Sequence, residues 1–376
     1  MRWKCEENIV NEEAFRKRTE RFQRLMRENS IDASMIRTLS SFMYFTGIKW
    51  LRPALLIPAE GEPTAFIFQY ETEEFAENSW IKNFKTYRRV SELLRAVSGT
   101  IRQEGYKTLG FDYFVERDSY VLFFEIFKKM NAQAQIKDVH ALIMQLRMIK
   151  DSGEVEAIKQ ASKIAELGMK SAIDAVNVGA SELEVAAEAI RTLMKKGSEN
   201  PHVYVTTGPK PRIHAEPRCW SRIKQNDVVE IVLATDYHGY YSNLTRTVFT
   251  GGLSEEKSKA LDVFLEAHQT AEEHLRVGVK FSEIENMLKE LFERKGYGQY
   301  YVVGFTHGVG LLTEEDPITT IVVPHRQYIA AENMTLASVH APLTIPKIGT
   351  IKLEDTYVIK PEKAERLTSF DYKITK

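Results

Sequence analysis

Among the 376 residues there are only two cysteines, Cys5 and Cys219, so neither a disulfide framework nor a cysteine-ligated metal is expected. That scarcity fits a reducing compartment. No apolar run approaches the roughly 18 residues that a membrane-spanning helix needs, and the charged start Met1-Arg2-Trp3-Lys4 lacks the apolar stretch of a secretory signal. A cytoplasmic location with no membrane partner is therefore expected. Neither sign of charge is in excess, with 51 Lys and Arg against 52 Asp and Glu, and no long block of one sign occurs. A broad nucleic-acid-binding face is not expected. There is no Gly-rich phosphate loop after a strand-like run, no internal repeat and no low-complexity tract.

What remains is an ordinary apolar fraction, rich in aromatic residues, on a chain too long for one core. Two domains are expected, at residues 1–148 and 149–376. The first reads as α/β. Phe15, Phe22, Leu25 and Met26 mark an amphipathic helix, Phe42 to Phe45 and Ala54 to Ile57 read as strands, Gly110 to Tyr113 as another, and Ser119 to Met130 as a helix. The boundary falls in the charged, Gly-bearing segment Leu146 to Gly153. Beyond it, Ile158, Ala161, Ala165, Met169 and Ala172 lie at helical spacing.

The second domain reads as α+β with an antiparallel sheet. Ser181 with Glu184, and Ser282 with Glu285, have the spacing of capping boxes ahead of amphipathic helices. Strand-like runs occupy Val228 to Thr235, Gly239 to Thr250, Tyr300 to Phe305, Met334 to Val339 and Gly349 to Ile359. Asp236-Tyr237-His238-Gly239 reads as a hairpin turn that sets Val232 opposite Asn243. Asn243, Thr245 and Thr247 then share a face, because side chains alternate along a strand.

The string Tyr240-Tyr241-Ser242-Asn243-Leu244-Thr245-Arg246-Thr247 resembles the GYxSDxTRT strand of the pita-bread fold family, which includes creatinase, prolidase and aminopeptidase P. Four further segments match in order. His214-Ala215-Glu216-Pro217 resembles HAEPT, and His307-Gly308-Val309-Gly310-Leu311 resembles GHGIGL. Glu315 and Pro317 fall where HExP ends, and Lys352-Leu353-Glu354-Asp355-Thr356 resembles RIEDT. Leu146-Arg147 with Ile149-Lys150 resembles the family's domain junction. The resemblance implies an N-terminal creatinase/prolidase-like α/β domain and a C-terminal pita-bread α+β domain.

The departures bear on chemistry. Metal-dependent members carry an Asp eleven positions before a second Asp, a His, and two late Glu residues, because bridging carboxylates offset the repulsion of two divalent ions. Those positions hold Val232, Asn243, His307, either Val339 or His340, and Glu354. A dinuclear site is expected to be lost and no cofactor is assigned. A reduced one-metal site would draw on His307, His340 and Glu354.

The resemblance implies His214 as general acid/base, with His307 and Glu354 orienting substrate or water. Glu314 and Glu315, which replace the family's His-Glu pair, are expected with Asn243 and Thr245 to contact substrate. Trp50 and Arg52 match an aromatic-x-Arg pair that reaches into a partner subunit's site in creatinase, which implies a homodimer. The leading expectation is a metal-independent C–N hydrolase or lyase acting on a small polar molecule. One alternative is an Xaa-Pro peptidase with one metal. The other is a non-catalytic protein that binds peptide or protein in the cleft.

Overall fold

The structure is a computed structural model that describes residues 12–117, 119–209, 212, 215–302, 304–338 and 342–376. Its contacts divide the chain into two compact units between Arg147 and Met148.

In the N-terminal unit, α1 (Glu12–Glu28) leads into β1 (Ala33–Ile36), α2 (Leu39–Thr46), β2 (Leu55–Pro58), β3 (Thr64–Phe68), α3 (Thr72–Asn78) and β4 (Phe84–Tyr87). Then follow α4 (Val90–Gln103), β5 (Thr108–Phe111), α5 (Ser119–Met130), β6 (Gln135–Asp138) and α6 (His140–Arg147). The six strands form one mixed sheet, ordered β4-β3-β2-β1-β5-β6. Phe22 and Met26 of α1 are fully buried, as their spacing requires. Gly110 of β5 lies beside Ser34 of β1, and a Cβ there would fall 2.1 Å from Ser34 Oγ.

Phe42 to Phe45 belong to a helix rather than the expected strand. The aromatic residues favour strands locally, but the segment starts where the Glu116 carboxylate accepts from the backbone N–H of Ser40 at 3.1 Å, and also from that of Leu39. That satisfies otherwise unpaired helix N–H groups. Gly47, at φ 80°, ends the helix with its N–H on Met43 O.

The C-terminal unit begins with α7 (Ser152–Ala175) and α8 (Glu182–Lys195), then β7 (His202–Thr207), β8 (Val228–Tyr237), β9 (Tyr240–Phe249), α9 (Glu255–His274) and α10 (Phe281–Arg294). Short strands follow: β10 (Thr306–Gly308), β11 (Glu315–Ile318), β12 (Thr335–Ser338), β13 (Leu343–Ile345), β14 (Gly349–Ile351), β15 (Asp355–Val358), β16 (Glu365–Arg366) and β17 (Ile374–Thr375). One sheet runs β17-β9-β8-β7 and a second β11-β10-β12-β15-β16, while β13 pairs with β14. Helices α7 and α8 share an apolar core with the first sheet, and α9 and α10 with the second. Thr245 and Glu354 exchange backbone hydrogen bonds of 3.1 and 3.2 Å, which join the sheets at the rung where the site forms.

Ser181 caps α8 as expected, accepting from Glu184 N at 3.1 Å. The Ser282/Glu285 box does not form. Helix α10 starts two residues earlier, with Lys280 at its N-cap, and Glu285 instead accepts from Gly304 N at 2.9 Å and Phe305 N at 3.1 Å. Buried donors in the loop before β10 outcompete the cap, which solvent can replace. The run Tyr300 to Phe305 accordingly forms no strand among its described residues.

The hairpin is tighter than expected. Its turn is His238-Gly239 alone, at φ 47° and 74°, the two-residue turn that matches strand twist. Val232 therefore faces Thr245, and Asn243 faces Ala234. The predicted Val232–Asn243 pairing is one rung off, because the turn takes two residues rather than four.

Candidate functional site

Three rungs of the β8–β9 hairpin share one face: Glu230 with Thr247, Val232 with Thr245, and Ala234 with Asn243; of these Val232, Ala234 and Asn243 line the cavity. Side chains directly opposite on neighbouring strands share a face, so the cavity is built from this one surface. His307 comes from β10, in register with Ala337 of β12. Glu354 stands one residue ahead of β15.

These two residues meet. His307 Nε2 lies 3.3 Å from Glu354 Oε1, and both side chains are buried. The other oxygen, Oε2, accepts from Thr245 Oγ1 at 2.6 Å and sits 3.1 Å from the Lys352 ammonium, itself fully buried. His307 Nδ1 is 2.9 Å from the Gly308 carbonyl, which can only accept, so Nδ1 carries a proton. Burial alone would lower the affinity of this imidazole for a second proton, but the Glu354 hydrogen bond and the charges of Glu314 and Glu354 reverse this and raise its pKa. His307 Nε2 and the Lys352 ammonium thus both approach one carboxylate.

Asn243 is 5% exposed, and its Nδ2 donates to Thr313 O at 3.1 Å. Since Thr313 O only accepts, the amide orientation is fixed and Oδ1 is left without a hydrogen-bond partner among the described residues. Asn243, His307 and Glu354 line a cavity of about 90 Å³ together with Val232, Ala234 and Glu314. Its wall is completed by Thr313 and by His202 and Tyr204 of β7. The last two also border an apolar groove of about 530 Å³ along α8.

The sequence-predicted residues therefore separate. Asn243, His307, Glu314 and Glu354 converge, and Thr245 braces Glu354 from behind. Glu315 points elsewhere: its carboxylate is buried 2.9 Å from Lys150 Nζ. Trp50 and Arg52 belong to the N-terminal unit. Trp50 packs edge-on against Phe75 at 5.5 Å, and half-exposed Arg52 pairs with Glu71. His214, Val339 and His340 lie outside the described residues.

Three residues escaped the sequence reading. His202 and Tyr204 have no motif of their own; only pairing of β7 with β8, which sets Tyr204 beside Val232 and His202 beside Ala234, brings them in. Glu182 looked like a first-turn helix residue. Fully buried, it accepts from Thr207 N at 2.9 Å, Arg218 N at 3.0 Å, Ser221 Oγ at 2.9 Å and the Arg212 guanidinium. It thereby anchors the described flanks of the segment that carries His214.

The chain's relatives agree with this architecture. Residues 156–361 match metallopeptidase family M24, and residues 18–149 match the creatinase/prolidase N-terminal domain. The chain belongs to the M24 family, with the two-domain creatinase/prolidase architecture. More particularly, it is 29% identical over 357 residues to an Xaa-Pro dipeptidase of Pyrococcus furiosus, covering 94% of this chain and 98% of that one. The prolidase structure from Pyrococcus horikoshii superposes with a TM-score of 0.85 at 27% identity, covering 95% and 99%. An X-Pro aminopeptidase from Thermotoga maritima gives 0.82 at 25%, covering 95% and 99%.

The family name implies a metal, and the residues present test it. Val232 offers no donor, Asn243 a neutral amide, and Glu354 is already neutralised by an ammonium at 3.1 Å. Among the described residues no three His, Cys, Asp or Glu side chains converge as ligands. This donor set does not fit two bridged divalent cations.

Proposed function

We propose that the chain is a short-peptide hydrolase of the Xaa-Pro type that cleaves its amide bond with side-chain groups in place of a dinuclear metal centre. The carrying observation is the Lys352–Glu354–His307 cluster, which sets a buried ammonium and a buried imidazole around a single carboxylate. The likeness to Xaa-Pro dipeptidases along nearly the whole chain favours a peptide substrate over the small polar molecule first expected. The cavity is well below the roughly 300 Å³ at which ligand pockets usually begin, so it takes one end of a substrate whose remainder has the larger groove beside it.

In this reading a water oxygen adds to the scissile carbonyl carbon and its proton passes to His214. The oxyanion develops in the field of Lys352 and His307. His214 then gives a proton to the prolyl nitrogen as the C–N bond breaks, so water is divided between the two products. Glu354 raises the proton affinity of His307 and holds its ring in place, and Glu182 anchors the flanks of the His214 segment.

A second reading is favoured by the 3.3 Å approach of His307 to Glu354: one divalent cation held by this pair with His340. Hydrolysis of Ala-Pro by the purified chain separates them. We expect turnover that survives exhaustive chelation and does not rise with added Mn²⁺. Turnover abolished by chelation and restored by one Mn²⁺ per chain supports the one-metal site. No hydrolysis of any Xaa-Pro dipeptide with or without metal overturns both.

A further inference from the structure

The N-terminal sheet holds a cation that meets no counter-charge. Strands β1, β3, β4, β5 and β6 run the same way and only β2 is reversed, so five carboxyl ends share one edge. From β1 the chain builds β2, β3 and β4 on one side, then returns to add β5 and β6 on the other. The end of β1 is therefore the switch point, where open α/β sheets hold their ligands. Arg37 is the residue that follows β1. Its guanidinium carbon lies 4.2 Å from the ring centre of Phe123 and 5.9 Å from that of Tyr120, both on α5. Its only hydrogen bond among the described residues runs from Nη1 to the Pro53 carbonyl. Nε is buried with no partner.

The acids at this edge are committed elsewhere. Asp112 accepts from Thr38 Oγ1 at 3.0 Å and Ser41 Oγ at 2.9 Å and pairs with His140. Glu116 accepts from the N–H groups of Leu39 and Ser40, and Glu71 pairs with Arg52. Burial pulls the proton affinity of Arg37 down, and only the Tyr120 and Tyr87 hydroxyls pull it back. Burial also raises both tyrosines above their ordinary value, so neither is negative near neutral pH. A guanidinium keeps its charge in a protein, and a charge taken out of water needs a partner. Tyr120, 5% exposed, adds a second buried group whose hydroxyl has no hydrogen-bond partner among the described residues. The Leu39 N–H near it can only donate and is taken by Glu116.

We propose that the carboxyl edge beside Arg37 binds a small monocarboxylate, gripped by Nε and Nη2 of the guanidinium with the Tyr120 hydroxyl alongside. Those two nitrogens form a planar pair of donors that matches the two oxygens of a carboxylate. One uncompensated positive charge suits a monoanion; the second charge of phosphate would find no partner, because Arg52 is held by Glu71. The site lies within the N-terminal unit and is independent of the hydrolase reading.

The test is calorimetric titration of the full-length chain with sodium acetate, acetamide and sodium phosphate, each alone at constant chloride. We expect saturable acetate binding, at least about tenfold weaker binding of acetamide, which has the shape without the charge, and phosphate no tighter than acetate. Arg37→Lys keeps the charge but loses the fork and should weaken acetate about tenfold; Arg37→Gln should abolish binding. Acetate should raise the thermal midpoint of wild type and leave that of Arg37→Gln unmoved, a difference that a merely structural arginine would not produce. Should Arg37→Gln fail to fold, Arg37→Lys decides together with Tyr120→Phe, which should weaken acetate about fivefold. Absence of acetate binding, equal binding of acetamide, tighter phosphate, or acetate affinity unchanged in Arg37→Lys would each overturn the proposal. A dimer that takes up no acetate and dissociates in Arg37→Gln would overturn it too, assigning the guanidinium to a carboxylate of a second copy.

Discussion

Glu230→Gln offers a direct measure of how far the site departs from water. Glu230, on β8 two residues before Val232, is 1% exposed, accepts from Thr206 Oγ1 at 3.1 Å, and its other oxygen has no hydrogen-bond partner among the described residues. Burial pushes its carboxyl up to about 7 from the ordinary 4.5; Lys352, Thr206 and Arg212 pull it down, and Glu354 pushes it further up. Between those values the folded chain holds a proton that the unfolded chain has released. The associated stability is therefore fully present below 4.5 and is lost as pH rises through 7. At about 1.4 kcal/mol per pH unit the loss is roughly 3 kcal/mol, of which about 2.5 kcal/mol falls between about pH 5 and about pH 8. Glutamine cannot ionise, so the variant lacks this slope. Its extra amide hydrogens cost about 1 kcal/mol at every pH. Urea unfolding followed by circular dichroism should show the variant level with wild type or slightly weaker near pH 5, and stronger near pH 8. Parallel pH profiles for the two proteins would refute the claim that Glu230 is desolvated and protonated near neutrality.

Three further outcomes are expected. Lys352→Met should lower stability by about 3–5 kcal/mol, the scale for removing one partner of a buried ion pair, and an unchanged thermal midpoint would remove Lys352 from the cluster. Gly308→Ala should cost about 1–3 kcal/mol by overpacking, since a Cβ there falls 2.4 Å from the Asp316 carbonyl oxygen; a melting curve identical to wild type would contradict that contact. His214→Ala should reduce Ala-Pro turnover about 100-fold at an unchanged thermal midpoint, and full activity in this variant would leave the proton transfer to another group.

How much of this was legible in the sequence depends on range. The motif strings located Asn243, His307 and Glu354 because each sits in a short segment whose order alone is diagnostic, and the Ser181 box was readable because its contacts lie three residues apart. Failures came where distant groups decide. Phe42 to Phe45 became helical because Glu116, far along the chain, satisfies its N-terminus. Glu285 left its expected cap for the backbone of Gly304 and Phe305. Glu315 looked like a cleft residue by position in a motif, yet its partner is Lys150, 165 residues earlier. Lys352 was quoted only as part of a string. It stands only two residues before Glu354, and alternation along an extended segment could have put both side chains on one face.

Arg246 carries a consequence for synthesis. Fully buried beside Thr245, its guanidinium spends itself on the carbonyls of Thr245 and Glu354, the Asp355 carboxylate, and the carbonyls of Phe370 and Asp371. The last of these lies 125 residues downstream. At a ribosomal pace of roughly 5–20 residues per second, β9 leaves the tunnel about 6–25 s before the acceptors its arginine needs. Until then a charged side chain destined for a dry interior has nowhere to go but water. The hairpin under the cavity is therefore obliged to wait, open-sided, for residues 354–371. A ribosome stalled within that window should display a nascent chain whose early helices are protease-resistant while the hairpin is still cut.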